Sequence, residues 1–248
     1  PGTRGTTYAL RNNPSDRPVL VVGVDIRNNA VGRHLADVFD VVPPPDDGDY
    51  IPRLKQICMQ HSVNVVLPQT TRELRILAEA RAEFAEINVA IAVSSPDAIL
   101  KSNDKFSLLR EFEQLGLPHP EYQIAASEHA LVAAVHYLGY PDVPVVVKPP
   151  ESSGMRGFRV LRENSWDLKR FLSEKPSSTD LALGDLLKIL RQGPQWPVLL
   201  VTEYLPGPEY SVDLFVGQQR QIAVPRLRQQ VRSGISFLTT IVANEDLQ

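Results

Sequence analysis

The sequence is poor in several features that would mark particular classes of protein. Its one cysteine, Cys58, cannot form a disulfide within the chain, and its apolar helical surroundings predict a packed thiol in a reducing compartment, not a nucleophile. We find no apolar run long enough for a membrane span and no signal peptide. The formal net charge is only −3 over 248 residues, and no face is obviously basic. We therefore expect a cytoplasmic protein without nucleic-acid or membrane partners, whose ligands include small anions.

The first hundred residues alternate between strand-like and helix-like patterns. Strands are predicted over 19–26, 39–42, 63–67 and 88–93, and helices over 30–37, 50–61 and 73–85. The segment 19–26 is a continuous apolar run, which is typical of a strand buried on both faces of a parallel sheet. This alternation predicts a Rossmann-like domain.

Two loops of this region are candidate sites. Residues 68–71 follow a predicted strand and should lie at the carboxyl edge of the sheet, where open α/β folds bind ligands. The favoured alternative is a capped helix start served by Thr71 and Glu73. A glycine turn at Gly2 and Gly5, with Asp25 about 20 residues later, weakly matches a dinucleotide site. Because no strand precedes this turn, we expect that the chain begins inside a domain.

The stretch 145–161 has the most suggestive pattern in the chain. An apolar, β-branched run ends in Lys148, a small flexible turn covers 152–157, and a second apolar run follows. Glycines in such a turn let backbone N–H groups approach an anion, and Lys148 and Arg156 add positive charge. An ordinary hairpin with a glycine loop explains this stretch equally well when it is taken alone.

Two flanking motifs add to this pattern. Asn103 or Asp104 can cap a helix whose first turn carries Lys105, where the ammonium opposes the helix dipole and needs another contact or solvent. Further on, an apolar strand over 198–204 runs into a break at 206–208, followed by Glu209. Free backbone groups at such a strand end can pair with a base, and Glu209 can accept hydrogen bonds from ribose hydroxyls. The alternative is a strand that leaves the core beside two solvated acids.

Two arginines, Arg226 and Arg228, lie on a strand predicted over 222–231, and a third, Arg232, lies between it and the last predicted strand, 236–242. Forked guanidinium groups could orient a carboxylate or a transferring phosphoryl group. Arginines that alternate outward on an exposed strand are an equally good interpretation.

Taken in order, these motifs resemble the ATP-grasp superfamily, and more narrowly its carbamoyl-phosphate-synthase-like, carboxylate–amine ligase members. The resemblance rests on NDK with Lys105, VVVKPPESSGMRG with Lys148, VTEYLPGPEYSVD and the preceding Rossmann-like region. In such enzymes ATP phosphorylates a carboxylate, and an amine or a similar nucleophile then displaces phosphate. The implied partners are therefore ATP and a small carboxylate, and a homodimer is left open.

The resemblance also implies roles for single residues. Lys105 and Lys148 would contact the nucleotide phosphates, and Glu209 would bind the ribose. The three arginines would act on the substrate, a role that their position in the family pattern slightly favours. The following residues would form the loop that closes over the phosphates: Ser152, Ser153, Gly154, Met155 and Gly157. The hinge beneath the adenine would consist of Glu203, Tyr204 and Leu205.

The fold class implied is α/β, with a Rossmann-like pre-ATP-grasp domain followed by a partial ATP-grasp fold. The expected divisions are 1–100 for the first domain, 101–125 for a linker helix, 126–202 for an α+β lid and 203–248 for an incomplete C-terminal subdomain. The family's Mg²⁺ ligands are not found and are expected beyond Gln248, so we expect this fragment alone to be inactive. Two other functions stay open: a nucleotide-binding module without catalysis, and a dinucleotide-binding oxidoreductase domain.

Overall fold

The computed structural model describes residues 2–152, 154–163, 172, 179–217, 221–232 and 234–243, without the side chains of residues 2, 3 and 232. The chain divides into two compact units, residues 1–102 and 103–248. Among the described residues, none of the helices combines the length and the apolar character needed to cross a membrane.

The first unit contains short strands alternating with helices. In chain order its elements are α1 Gly2–Arg11, β1 Val22–Asp25, a 3-10 turn Val31–His34, β2 Val38–Val41, α2 Tyr50–Gln60, β3 Val65–Val66, α3 Thr71–Glu79, α4 Arg81–Ala85, β4 Ala90–Ile91 and α5 Pro96–Asn103, whose last residue belongs to the second unit. β1 pairs in parallel with β2, and β3 pairs in parallel with β4. The predicted parallel α/β arrangement is therefore confirmed.

The core of the first unit forms between α2, α3 and α4. Ile57, Leu77 and Phe84 are almost fully buried in it. Cys58 is 2% exposed in the same core, as the sequence predicts for a packed thiol. Burial raises the pKa of this thiol to about 11, which keeps it protonated at neutral pH.

Two predicted helices of this unit differ in the structure. The helix predicted over 30–37 is wrong, since only the 3-10 turn Val31–His34 forms. Asp37 is held to the start of β1 instead, because its backbone N–H donates to the carbonyl of Val21 at 2.9 Å and its carboxylate accepts from the Val21 N–H at 2.9 Å. The helix predicted over 73–85 is interrupted at Ala80, where ψ is 2°.

The loop 68–71 is a capped helix start. The Glu73 carboxylate accepts hydrogen bonds from the backbone N–H groups of Gln69 and Thr70, both at 2.7 Å. Thr70 and Glu73 thereby form a capping box at the start of α3. The hydroxyl of Tyr50 donates to the other Glu73 oxygen at 3.0 Å, so this carboxylate has structural partners on both oxygens.

The predicted glycine turn is wrong, because Gly2 and Gly5 lie inside α1. Asp25 accepts a hydrogen bond from the backbone of Arg27 at 2.9 Å, which closes the turn after β1. Helix α1 is regular through both glycines, so the N–H groups there are not gathered into a phosphate-binding turn. The dinucleotide interpretation loses the loop on which it depended.

The described residues of the second unit form two sheets. In chain order its elements are α6 Lys105–Gln114, β5 Tyr122–Ala125, α7 Glu128–Tyr137, β6 Val145–Lys148, β7 Arg159–Leu161, β8 Asp180–Leu181, α8 Leu183–Leu190, β9 Leu199–Glu203, β10 Tyr210–Val216, β11 Gln221–Arg232 and β12 Ile235–Ile241. The sequence also predicts a helix that begins near residue 165 and a polar link over 175–179; the first of these and most of the second fall outside the described residues.

The larger sheet has the strand order β5–β9–β6–β7–β8. β6 and β7 form the predicted antiparallel hairpin, with Val145 opposite Leu161. Both residues are fully buried, together with Val201 of β9. β5 is an edge strand of this sheet, so the sheet extends across the predicted boundary at residue 126. The buried hairpin fixes the position at which Lys148 leaves the sheet.

The smaller sheet is antiparallel, in the order β10–β11–β12. Its register places Val212 opposite Pro225 and Ser211 opposite Arg226, so the two faces differ in character. One face carries Tyr210, Val212, Leu214 and Val216, and the other carries the polar residues Asp213, Arg226 and Arg228. Arg226 and Arg228 therefore lie on the same face, which also carries Phe215 and Val224.

Candidate functional site

Helix α6 begins at a capped N-terminus beside the turn of residues 152–157, which we call the phosphate-sized turn. The Asp104 carboxylate accepts from the backbone of Phe106 at 3.0 Å and from the hydroxyl of Ser107 at 2.6 Å. The backbone N–H of Lys105 donates to the carbonyl of Pro150 at 3.1 Å. The first turn of α6 is thus attached to the segment that follows β6.

The Lys105 ammonium has the additional contacts that its place at the helix start requires. Its Nζ donates to the carbonyl oxygens of Pro150 at 3.2 Å and Ser152 at 3.1 Å, and lies 3.3 Å from the Ser152 hydroxyl. Burial lowers the pKa of Lys105, an effect that the charges of Asp104 and Glu151 partly oppose. Carbonyl and hydroxyl oxygens therefore hold the ammonium at the mouth of the turn.

Lys148 lies at the end of β6, two residues before Pro150. Burial is the main reason that its pKa is lowered, and the positive charge of Lys105 lowers the pKa further. Among the described residues, no hydrogen-bond or ion-pair partner of the Lys148 ammonium is found. Two cations that repel each other in a partly buried position favour an anion between them.

The turn itself contains several residues with left-handed backbone conformations. Gly154 has φ +63°, Met155 has φ +57° and Gly157 has φ +76°. A Cβ atom added to Gly157 would lie 2.6 Å from Cγ of Pro149, so a larger residue does not fit there. Ser153, the remaining predicted member of this loop, lies outside the described residues. Left-handed residues of this kind allow a turn to present backbone N–H groups to an anion.

The predicted adenine hinge follows β9. The Glu203 carboxylate accepts from the backbone N–H of Glu121 at 2.9 Å, so this side chain has a structural role. The Arg162 guanidinium stacks on the ring of Tyr204 at 5.0 Å, and Leu205 is 63% exposed. Sequence reasoning missed Glu121 and Arg162, although an arginine directly after a predicted strand is a signal that could have identified the second.

Two of the arginines with a predicted substrate role form ion pairs with carboxylates of the same unit, and one of these carboxylates is the predicted ribose-binding acid, Glu209. Arg228 pairs with Glu209, and Arg226 pairs with Asp213, with its Nη2 2.8 Å from one carboxylate oxygen. The side chain of Arg232 is not among those described. Carboxylates thus bind the guanidinium groups of Arg226 and Arg228, for which the sequence predicts a substrate role.

The predicted site residues fall into two groups in the second unit, one at the phosphate-sized turn and one on the smaller sheet. Lys105, Lys148 and Ser152 lie at one turn, and Glu209 contacts Arg228. The side chain of Met155 lies against Gly234, between β11 and β12, because an added Cβ there would be 2.8 Å from Cγ of Met155. The phosphate-sized turn and the smaller sheet are thus in contact.

Two family models match parts of the chain. Residues 2–92 match the model described as PylC-like, N-terminal domain. Residues 195–248 match the model described as ATP-grasp in the biosynthetic pathway with Ter operon. The two matches cover the Rossmann-like region and the C-terminal sheet region, respectively.

Curated relatives match over more than half of the chain. The carbamoyl phosphate synthase large chain of Methanosphaerula palustris is 31% identical over 137 residues, which is 54% of this chain and 12% of that protein. The formate-dependent phosphoribosylglycinamide formyltransferase of Burkholderia thailandensis is 30% identical over 151 residues, which is 59% of this chain and 34% of that protein. The chain thus spans about a third or less of the length of these two relatives.

Solved structures share the fold. An ADP complex of the N5-carboxyaminoimidazole ribonucleotide synthetase purK has a TM-score of 0.63 at 18% identity, covering 93% of this chain and 53% of that one. The biotin carboxylase of Campylobacter jejuni, solved with an ATP analogue described as β-γ-ATP, has a TM-score of 0.60 at 18% identity, covering 93% of this chain and 51% of that one. The order of the sequence motifs, the family match of residues 195–248 and the fold shared with these solved structures agree in their similarity to ATP-grasp proteins.

Proposed function

We propose that the second unit binds ATP as part of an ATP-dependent carboxylate–amine ligase. The observation that carries this proposal is the convergence of Lys105 and Lys148 at a turn with left-handed backbone, where the pKa values of both lysines are lowered. A triphosphate between them would replace lysine–lysine repulsion by two attractive contacts. The site supplies positive charge and N–H groups, which are what a polyphosphate needs.

The remaining binding residues follow from the family pattern. We assign the phosphates to Lys105 and Lys148, and the closing loop to residues 152–157. The strand end 203–205 takes the adenine, chiefly through backbone atoms, and Glu209 takes the ribose. Stacking of Arg162 on Tyr204 supports this assignment, because it holds the hinge side chain in one orientation.

The proposed reaction has two steps. An oxygen of a small carboxylate attacks the γ-phosphorus of ATP, ADP leaves, and an acyl phosphate forms. An amine then attacks the acyl carbon, phosphate leaves and the nitrogen loses a proton. Lys105 and Lys148 would offset negative charge on the transferring phosphoryl group, and the closed turn would exclude water from the acyl phosphate.

Magnesium accompanies ATP in this family. The described residues contain no group of three or more His, Cys, Asp or Glu side chains that could hold a metal ion. The described residues therefore do not fit a Mg²⁺ site built from protein side chains alone. We also propose that the described residues bind the nucleotide but do not by themselves supply the metal ligands needed for turnover.

A nucleotide-binding module without catalysis is the second candidate. The pairing of Arg226 with Asp213 and of Arg228 with Glu209 favours it, because carboxylates already neutralise both guanidinium groups.

A homodimer also stays a proposal. One solved neighbour, a biotin carboxylase domain from Hydrogenobacter thermophilus with a TM-score of 0.62, is described as a dimer.

The direct test is calorimetric titration of the chain with ATP, ADP and NAD, combined with hydrogen exchange of residues 154–157. We expect ATP and ADP to bind, to slow exchange in this turn and to be competed by inorganic triphosphate. NAD should not bind. Failure of ATP to bind, or protection elsewhere with exchange in the turn unchanged, would contradict the proposed function.

A further inference from the structure

The sequence predicts a substrate role for Arg228, but its contacts indicate another one. Its side chain is only 13% exposed, although it lies on a strand of a sheet with many exposed residues. Nε donates to the Ser236 hydroxyl at 2.7 Å, Nη2 donates to the carbonyl of Gly234 at 2.7 Å, and Nη1 donates to the Glu209 carboxylate. Every guanidinium nitrogen therefore has a partner within the protein.

These contacts connect three separate segments. Glu209 precedes β10, Arg228 lies in the middle of β11, and Gly234 and Ser236 lie at the start of β12. The backbone N–H of Arg228 also donates to the carbonyl of Glu209 at 2.9 Å. Arg228 thus holds the Glu209 carboxylate and the β11–β12 connection in a fixed relation.

The connection continues to the phosphate-sized turn through Gly234. Gly234 has φ +76°, and a Cβ added there would lie 2.8 Å from Cγ and 3.2 Å from Sδ of Met155. The absence of a side chain at Gly234 therefore makes room for the Met155 side chain. Met155 itself has φ +57°, a conformation that a residue with a side chain keeps only when its surroundings hold it.

We propose that Arg228 is a positioning residue that couples the phosphate-binding turn to Glu209 through the contact of Gly234 with Met155. This inference rests on the proposed nucleotide-binding function. It assigns Arg228 to the enzyme's internal framework, not to the substrate. The turn at the phosphate end and the acid at the ribose end would then be ordered together, since Glu209 bonds to the Arg228 guanidinium directly and the turn contacts Gly234, whose carbonyl accepts from the same guanidinium.

Arg226 shows that this arrangement is not a general property of the strand. Its guanidinium contacts Asp213, a residue whose side chain is 62% exposed, in a pairing across β10 and β11. Within the described part of the chain, this guanidinium makes no hydrogen bond to the β11–β12 connection. The two arginines are two residues apart, yet only Arg228 joins three segments.

The test compares Arg228→Lys with Arg191→Lys. A lysine at 228 keeps the positive charge near Glu209 but cannot donate to Ser236 and Gly234 with a fixed fork. Arg191 is a matched control in the same unit, because its guanidinium also pairs with a carboxylate, that of Glu128, with Nε–Oε2 at 2.9 Å. We expect Arg228→Lys to speed hydrogen exchange of residues 154–157 about tenfold without nucleotide. Arg191→Lys should leave it unchanged.

A double-mutant cycle with Met155→Ala then tests the path. If the two residues are coupled, their losses of ATP affinity do not add. The ATP affinity of the double variant should then be at most about twofold lower than that of the weaker-binding single variant. If Arg228 contacted the substrate instead, Arg228→Lys would leave ATP affinity and exchange of the turn unchanged. That result would overturn the proposal, and so would a double variant whose loss of ATP affinity equals the product of the two single losses.

Gly234→Ala provides an independent route if Arg228→Lys does not fold. The added methyl group should displace Met155 and speed hydrogen exchange in the turn. In a protein that already carries Met155→Ala, Gly234→Ala should have no further effect on this exchange. Gly116→Ala is the control for backbone strain, since Gly116 has φ +66° and nothing within 4 Å of an added Cβ. Equal effects of the two glycine variants on the turn would overturn the proposal. Because exchange is measured without nucleotide, this outcome is distinct from a failure of ATP to bind.

Discussion

Replacing Lys148 by methionine should separate its role in binding from its role in folding. Methionine keeps an unbranched apolar side chain of similar length but removes the charge. A charged contact in a partly buried site contributes about 3 kcal/mol, so ATP affinity should fall about 100-fold. Calorimetric titration with ATP measures this change, and the circular dichroism spectrum should stay the same.

The same substitution should stabilise the protein without nucleotide. Because the pKa of Lys148 is lowered in the folded state from its ordinary value of 10.5, the unfolded chain binds more protons between the two pKa values. The stability of the original protein should therefore rise with pH through this window, and this rise should be smaller in Lys148→Met. Chemical denaturation at neutral and alkaline pH measures both effects.

Binding should also be linked to proton uptake. The negative charge of ATP raises the pKa of Lys148 towards its ordinary range, so in alkaline buffer the neutral fraction of the Lys148 amine takes up a proton from the buffer when ATP binds. Titrations in two buffers of different ionisation enthalpy measure the number of protons taken up. Lys188→Met is the matched control, because Lys188 is an exposed lysine of the same unit that pairs with Asp185 at 2.9 Å. Unchanged ATP affinity in a folded Lys148→Met protein, or an equal loss in the control, would refute the reasoning.

Two further predictions concern the turn and the core. Gly157→Ala should weaken ATP binding at least about tenfold more than Gly154→Ala, because both have positive φ but only the first brings a Cβ to 2.6 Å from Pro149; equal affinities by titration would show that ATP does not bind to this conformation of the turn. Cys58 should react with thiol reagents at about pH 8 far more slowly in the folded than in the denatured protein, since burial raises its pKa to about 11. Rapid labelling of folded protein in a timed colorimetric assay would contradict this burial.

Short-range patterns were enough to predict much of the second unit. The cap at Asp104, the helix start after Ser127 and the hairpin of β6 and β7 are formed by residues close together in the chain. The sequence also predicts a strand over 210–216, because apolar residues alternate there between breaks, and β10 has these bounds. The ordered motifs also indicated the superfamily. Each of these signals is contained within one contiguous stretch of sequence.

Only the tertiary structure determined which groups meet across long separations. The contact of Lys105 with Ser152 spans 47 residues, and that of Glu203 with Glu121 spans 82. Such hydrogen bonds leave no local pattern, because each partner satisfies its own helix or strand irrespective of the other. For the same reason, local patterns do not reveal that Asp37 bonds to Val21 instead of continuing a helix, or that Arg228 bonds to Glu209 and Gly234. The amino-acid order by itself determined which residue types occur at the site, and folding determined which partners those residues have.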